Sequence, residues 1–437
     1  MKKEPEITRN LSADPVYLAS AAVSSLIQRM PSGTAYFMGI VIIAMMSGRL
    51  MQSKGSLARA VLPLVAEIKW GWHRVHRAME RGKFSLDECF ELMCEWSIAN
   101  LPVEPVTIGS EKREVVSIDS STIARLRSGD RLALAGKGYW QKAERAVRAN
   151  IVAAATSVVF ICGIRVRLVR RVRYGESCEA AVENLFKDLP KTDSKSLIVV
   201  DAGIATKERF TKATEKDALL GRLRINAKLR CAPRPRNGNR GRFPVHGAIL
   251  HPGQDYPEVD PSEDFKVPGE NGEIRIRRWN NLHHQEYAKV ILDVARVDDP
   301  TYPNKPLIIG TTARELKTEE MKVGYRHRWP VETNFFVAQD TTAMEMPRAW
   351  TEQALERRIG LALLTGSLLK AISAACPPIA IGPWDRKAQA SAGRLANYLD
   401  IHLSIFKGLA LKGISLKNYI KIQHPSLIND LQNRNVA

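Results

Sequence analysis

The chain has 437 residues, enough for two or three domains, and its 45% apolar and 25% charged residues are ordinary for a folded protein. The charge is not ordinary, because 65 Lys and Arg residues against 46 Asp and Glu residues give a formal net charge of +19. This excess favours a polyanionic partner, either nucleic acid or an anionic membrane surface. The longest apolar runs, at 36–46 and 361–369, are too short for a bilayer, which takes ~20 residues. We therefore expect buried helices, no membrane association, and nucleic acid as the polyanion.

The cysteines and the N-terminus indicate the cellular compartment in which the protein is expected. The six cysteines form no C-x-x-C pair and have no histidine spacing suited to zinc: Cys89, Cys94, Cys162, Cys178, Cys231 and Cys376. This pattern predicts reduced thiols in a reducing compartment. The opening MKKEPEITRN lacks the apolar core of a signal peptide. We expect a cytoplasmic protein.

Residues 1–108 are predicted to form a helical N-terminal domain, with Ser85 capping an amphipathic run. The segment 69–83, KWGWHRVHRAMERGK, mixes basic and aromatic side chains. Such a mixture suits contact with a DNA backbone, although plain solvated helices also carry it. We expect this domain to bind DNA, with a linker of prolines and glycine at its end.

The pattern then changes to strands. The predicted order is strands at 115–119, 149–155 and 158–169, a helix opened by Ser177, and a strand at 197–201. Ile164, Val166 and Leu168 alternate with Arg165 and Arg167, as in a half-buried strand. The first and last of these strands end on carboxylates, Asp119 and Asp201. Strand, strand, strand, helix, strand is the order of the ribonuclease H-like fold, although many α/β domains begin similarly.

The middle of the chain is basic and predicted to be β-rich. No acidic residue occurs from 221 to 254, and strands are predicted within 274–279 and 290–297. We interpret 222–304 as an inserted β-rich domain. Its candidate DNA contacts are Arg236, Arg240, Arg277 and Arg278.

The end of the chain is predicted to be mostly helical. A strand at 307–309 precedes a helix with Glu319 and Glu320 in its first turn, where negative charge suits the helix dipole. A long apolar helix at 351–375 is expected in the core. The region 377–437 is predicted to be helical and basic.

One segment, 324–340, has the most specific pattern, GYRHRWPVETNFFVAQD. Four of its residues return to one helical face at offsets of 3, 7 and 14: Tyr325, Arg328, Glu332 and Gln339. Pro330 removes a backbone donor, so we expect a kink or a new helix with Pro330 at its first position. In either case Glu332 lies within the first turn or so, close to Arg328.

These residues resemble the Y-x2-R-x3-E-x6-K signature of one branch of the DDE transposases of bacterial insertion sequences. Gln339 stands where that family has lysine. The resemblance covers about residues 110–370. It implies a ribonuclease H-like catalytic domain at 109–221 and 305–376, interrupted by the insertion. It also implies a catalytic, metal-binding triad of Asp119, Asp201 and Glu332.

The resemblance carries a set of functional expectations. The triad would hold two Mg²⁺ ions, with Mn²⁺ able to substitute, because phosphodiester cleavage needs charge stabilised on both the attacking and the leaving oxygens. The protein would bind the terminal inverted repeats of an insertion sequence, cut DNA and join the 3′ ends to target DNA. Family behaviour implies a homodimer bridging two double-stranded DNA ends at the bacterial nucleoid.

The resemblance also assigns roles to neighbouring side chains. Tyr325 and Arg328 would contact phosphate. Gln339 keeps a donor but loses the positive charge of the family lysine, which weakens that phosphate contact. Trp279 would hold a flipped base by stacking.

Other interpretations stay open at this point. An aspartate that ends a strand is usually a turn former, so Asp119 and Asp201 could have that role instead. Arg328 could form an ion pair with a nearby acid. Tyr325 and Trp279 could be core residues, the latter in a β-rich core. The whole chain could be a catalytically inactive DNA-binding descendant of a transposase. It could also be a junction or repair nuclease on the same fold.

Overall fold

A computed structural model describes residues 14–66, 68, 71–125, 134–140, 143–190, 193–233, 244–254, 258–303, 305–328, 331–349, 351–385 and 388–414, without the side chains of Val331 and Glu332. In chain order the helices are α1 (Pro15–Ile27), α2 (Ser32–Met46), α3 (Arg49–Gln52), α4 (Leu57–Val61), α5 (Gly71–Arg81), α6 (Leu86–Asn100), α7 (Cys178–Lys187), α8 (Lys207–Lys212), α9 (Thr318–Arg326), α10 (Val331–Asp340), α11 (Glu352–Ala375), α12 (Ala392–Ile401) and α13 (Leu403–Ala410), with a 3₁₀ turn at Leu62–Leu64. The strands are β1 (Val103–Pro105), β2 (Thr107–Ile108), β3 (Arg113–Ala124), β4 (Ala135–Trp140), β5 (Arg145–Ile161), β6 (Ile164–Gly175), β7 (Ser196–Val200), β8 (Asp217–Arg222), β9 (Leu229–Arg230), β10 (Ile249–Leu250), β11 (Glu263–Gly269), β12 (Gly272–His284), β13 (Tyr287–Asp298) and β14 (Leu307–Thr311).

The strands of the described residues form one large mixed sheet. Along its main path the order is β1-β5-β3-β7-β8-β14-β13-β12-β9-β10, while β2, β4, β6 and β11 pair at the sides. The pairs β3–β7 and β7–β8 are parallel, and the other pairs are antiparallel. The protein is therefore a mixed α/β protein built on this sheet.

The turn between β5 and β6 corrects one predicted strand. The apolar run 158–169 was expected to be one strand, but β5 ends at Ile161 and β6 begins at Ile164. The two residues between them, Cys162 and Gly163, have φ angles of 48° and 73°. Two consecutive positive φ angles are the geometry of a tight type I′ hairpin, whose twist matches that of the flanking strands. The prediction was wrong because Cys-Gly is not a common turn pair.

Each face of the central strands packs against a different layer. Val116, Ile118, Ile198 and Val200 belong to a core with α7 and α8 on one face. Val115, Leu197 and Val199 belong to the core on the opposite face, together with Met321 and Tyr325 of α9. The period of two along a strand sets this division, and it also places Asp119 on the face of α9.

A third core joins the two ends of the chain. Residues of α1, α2, α5 and α6 pack in one apolar cluster with β5, β6, α11, α12 and α13. The prediction of helices in 1–108 is confirmed by α1 to α6 in the described part of that region, whereas Val103–Pro105 and Thr107–Ile108 are strands. Among the described residues α11 alone is long and apolar enough to cross a bilayer, but 94% of its apolar window is buried inside the protein. It is a core helix, as the sequence predicts.

The motif segment contains the expected break. Helix α9 ends at Arg326 and a new helix, α10, begins at Val331. Tyr325 thus lies in the last turn of α9 and Arg328 lies two residues beyond its end, while Glu332 and Gln339 lie on the next helix, so the four residues do not share one continuous face. Pro330 itself lies outside the described residues.

Candidate active site

Two carboxylates lie on neighbouring parallel strands. The prediction that the first strand ends on Asp119 is wrong, because β3 continues to Ala124 through its pairing with β5. Asp119 lies in β3, and Asp201 directly follows β7. The register pairs Ser117 with Val199, so the same register carried two residues further brings Asp119 beside Asp201. Adjacent strands are about 4.8 Å apart, and residues in step on parallel strands share a face. The predicted pair of acids is therefore brought together.

Tyr325 contacts the second carboxylate. Its hydroxyl donates a hydrogen bond to Oδ1 of Asp201 at 3.0 Å, and its side chain is buried, at 8% exposure. Burial first, and then the negative charge of Asp201, raise the pKa of Tyr325 far above its usual value. Tyr325 thus stays protonated near neutral pH and is a permanent hydrogen-bond donor in the site.

Arg328 contacts the first carboxylate. Its Nη1 lies 3.5 Å from Oδ2 of Asp119, and the guanidinium side chain is only 6% exposed. The Arg328 Cζ also lies 5.8 Å from the centre of the Tyr325 ring. The other carboxylate oxygen of Asp119 accepts a hydrogen bond from the Ser120 backbone amide at 2.7 Å. The two motif residues on the α9 side therefore each hold one of the two strand carboxylates.

The third predicted acid is described only by its backbone. Glu332 lies in the first turn of α10, as the sequence predicts, and its side chain is outside the described residues. Helix α10 packs against β3 and α11. Gln339, at the far end of α10, donates from Nε2 to Oγ of Ser121, two residues beyond Asp119, at 3.4 Å. The side-chain amide of Gln339 therefore contacts β3, the strand that contains Asp119.

Sequence reasoning missed Arg167 of β6. The strand alternation predicted an exposed side chain, but Arg167 is 1% exposed. Its guanidinium donates to the carbonyl of His327, in the corner between α9 and α10. Its own carbonyl accepts from Asn334 Nδ2 of α10 at 3.1 Å and from Ser367 Oγ of α11 at 2.8 Å. No local pattern reveals this, because the covering segment is about 160 residues away.

Burial changes the titration of both groups at this corner. It is the main cause that lowers the pKa of Arg167 to about 9, with a smaller effect from Arg165. It likewise lowers the pKa of His327 to about 4, assisted by Arg165 and Arg167. His327 is therefore neutral near pH 7, so the positive charge at the corner comes from the arginines.

Three of the predicted DNA contacts of the insertion, Arg277, Arg278 and Trp279, are buried side chains in this structure. Trp279 is 1% exposed, and its indole N–H donates to the carbonyl of Val259 at 2.9 Å, so the core alternative is the one observed. Arg277 is buried and lies 2.9 Å from Asp298, and Arg278 is buried and lies 2.6 Å from Asp293. Desolvated groups with protein partners offer little to a DNA surface. Arg236 and Arg240 lie outside the described residues.

The donor chemistry at the acidic pair fits magnesium. Carboxylate oxygens are the ligands that Mg²⁺ prefers, and within the described residues Oδ2 of Asp201 accepts no hydrogen bond. The described side chains contain no group of three or more His, Cys, Asp and Glu that could hold a metal. Because that set excludes the Glu332 side chain, two of the three predicted ligands can be placed.

A comparison of the sequence with protein-family models finds no match, and a comparison with curated proteins finds none either.

Proposed function

We propose that the chain is a DDE transposase that binds the terminal inverted repeats of an insertion sequence, cuts the DNA and joins its 3′ ends to a target. One observation carries this proposal. Asp119 and Asp201 each lie two residues beyond Ser117 and Val199, the last paired residues of the parallel strands β3 and β7, and each is contacted by a residue of the Tyr-Arg-Glu motif, Arg328 and Tyr325 respectively. Four residues separated by up to about 200 positions in sequence thus share one site.

The order of elements supports a ribonuclease H-like catalytic domain. In chain order the elements are β3, β4, β5, β6, α7 and β7, so the order strand, strand, strand, helix, strand is present with one added short strand, β4, which pairs only with β5. Strands β3, β5 and β6 are antiparallel to their neighbours and β7 is parallel to β3. The strands β9 to β13 lie between β8 and the motif helices. That is the position of the β-rich insertion in the proposed family.

The residues of the site suit work on a phosphodiester. Bound Mg²⁺ would activate the attacking oxygen and stabilise the leaving one, and Asp119, Asp201 and Glu332 would hold it. Arg328 carries a planar fork of donors that matches a phosphate. Tyr325 remains a neutral donor, and Gln339 contributes an uncharged amide where the family has a cation. A DNA phosphate entering the site would compete with the carboxylates for these donors.

The first experiment measures the rate at which the wild type and Asp119→Asn cleave DNA in Mg²⁺ or Mn²⁺. The DNA carries the terminal inverted repeats that flank the gene. We expect the substitution to lower the cleavage rate by at least about 100-fold, the scale of losing one preorganised electrostatic contact at a reacting group. Asp340→Asn is the matched control, because Asp340 is an exposed acid at the end of α10. Its cleavage rate is expected to stay at the wild-type value.

Three results would overturn or redirect the proposal. Equal cutting by Asp119→Asn and wild type would show that the site is elsewhere. Specific binding of the ends without cutting in either metal would favour the inactive DNA-binding descendant. Cutting of branched DNA without any requirement for the ends would favour a junction nuclease.

A further inference from the structure

The face of the sheet opposite the acidic pair contains a cavity of about 420 Å³. Its floor is apolar and is formed by Val116, Ile198 and Leu219 of the parallel strands, and Phe186 of α7 forms one wall. Val116 and Asp119 are three positions apart in β3 and so project to opposite faces. The cavity is separate from the proposed active site, and its volume is that of a small-molecule site.

One wall of the cavity carries a buried cation. Arg209 of α8 is 5% exposed, and its Nε and Nη1 are buried and make no hydrogen bond with the described residues. Its nearest charge is Glu183, whose Oε2 lies 3.7 Å from Nη1. Its Cζ lies 4.8 Å from the centre of the Phe186 ring. A buried guanidinium that lacks hydrogen bonds has donors left for a ligand.

A second cation reaches the cavity through a β-bulge. In the pairing of β5 with β6, Arg171 lies opposite Ala155 and Val169 lies opposite Thr156, so Arg170 is the extra residue. Bulges of this kind redirect a side chain and occur often beside functional sites. Arg170 lines the cavity and makes no ion pair or hydrogen bond within the described part of the chain.

The net charge of the lining is positive. Four cations, Arg170, Lys187, Arg209 and Lys212, stand against two carboxylates, Glu183 and Asp217, which leaves an excess of two positive charges. The carboxylates are already engaged. Lys212 donates to Glu183 at 2.6 Å, and Asp217 accepts from the Ser196 hydroxyl at 2.5 Å.

We propose that this cavity is a binding site for a small organic anion, a carboxylate or phosphate attached to an aromatic or short aliphatic body. The apolar body lies on Val116, Ile198 and Leu219 beside Phe186. The anionic group lies between Arg209 and Arg170. Anion binding in this cavity does not require cleavage of DNA, so the two proposals can be tested independently.

The probe is 8-anilinonaphthalene-1-sulfonate, an aromatic anion that fluoresces on leaving water, titrated into the full chain. We expect one bound probe per chain. Arg170→Met should weaken binding by about 10- to 100-fold, the range expected for losing a charge-assisted hydrogen bond. Lys207→Met removes a charge from the same helix as Arg209 but outside the cavity, where Lys207 pairs with Glu286 at 2.6 Å. It should bind as wild type does.

A second variant tests the volume rather than the charge. Ala213→Trp, at the half-buried rim, should abolish probe binding while every cation stays in place. The neutral analogue N-phenyl-1-naphthylamine should bind wild type at least about tenfold more weakly than the sulfonate. Thermal melting of each variant verifies its folding.

The proposal is overturned if wild type does not bind the sulfonate, or if folded Ala213→Trp binds it normally. It is also overturned if Arg170→Met and Lys207→Met weaken binding equally, since the charge effect would then be nonspecific. Equal affinity for the charged and neutral probes would show a merely apolar cavity and would overturn it as well.

Discussion

The contact between Tyr325 and Asp201 shows how single side chains define the site. Tyr325 is 8% exposed and donates to a carboxylate that ends a buried strand. Arg328 forms an ion pair with Asp119, in which Nη1 lies 3.5 Å from Oδ2. Both motif residues therefore have structural partners within the protein, and this is compatible with the catalytic role proposed for each.

At this scale we predict the effect of Tyr325→Phe. Removing the hydroxyl eliminates one hydrogen bond to a charged acceptor, so the free energy of unfolding should fall by about 1.5–3 kcal/mol. Urea unfolding measures this change. The cleavage rate of folded Tyr325→Phe should also fall, because the site loses its permanent donor.

The matched control is Tyr302→Phe, since Tyr302 is 64% exposed. Its unfolding free energy should change by no more than about 0.5 kcal/mol. Equal stability of Tyr325→Phe and Tyr302→Phe would mean that the bond to Asp201 contributes nothing in solution.

At the scale of elements, the presence of the central strands and the helix break were predictable, whereas strand ends and burial within strands were not. The strands that contain Asp119 and precede Asp201 follow from apolar pattern, although β3 continues past Asp119 to Ala124. Proline in the sequence predicted the break between α9 and α10. Arg277, Arg278 and Trp279 are three consecutive buried residues of β12. A strand that is buried on both faces lacks the alternation of apolar and polar residues that marks a half-buried strand. The sequence therefore could not show that Arg278 and Arg277 pair with acids 15 and 21 residues away.

The corner between α9 and α10 gives the second prediction. Asn334 of α10 and Ser367 of α11 both donate to the carbonyl of Arg167. Asn334→Ala and Ser367→Ala should each lower the unfolding free energy by about 1 kcal/mol. Because one acceptor is shared, the double variant should lose more than the sum, since either donor alone still satisfies the carbonyl and only the double variant leaves it without a side-chain donor.

A double-mutant cycle in urea tests this coupling. Asn184→Ala serves as a control: Asn184 also donates to a strand carbonyl, that of Tyr174, at 2.9 Å, but it shares no acceptor with Ser367. Asn184→Ala with Ser367→Ala should be additive within about 0.5 kcal/mol. If Asn334→Ala and Ser367→Ala are as additive as the control pair, the shared Arg167 carbonyl does not couple α10 to α11.

At the scale of the whole molecule, the net charge of +19 predicts how the proposed binding to DNA depends on salt. Neutralising phosphates releases counterions, so the logarithm of the binding constant should fall linearly with the logarithm of salt concentration. Binding measured from 50 to 200 mM NaCl on end-containing and unrelated duplexes gives both slopes. We expect a steep fall on both, and a shallow slope on either would contradict a phosphate-dominated interface.

The apolar cluster that unites α1, α2 and α6 with α11 and α13 has a consequence for synthesis of the chain. The ribosome makes the first helices long before their partners: α6 ends at Asn100 and α13 ends at Ala410. At about 5–20 residues per second the delay is roughly 15–60 s. During that time the apolar faces of the N-terminal helices lack their partners in α11 and α13 and are exposed to solvent. We therefore expect chaperones to bind a polypeptide that is released before α13 is made.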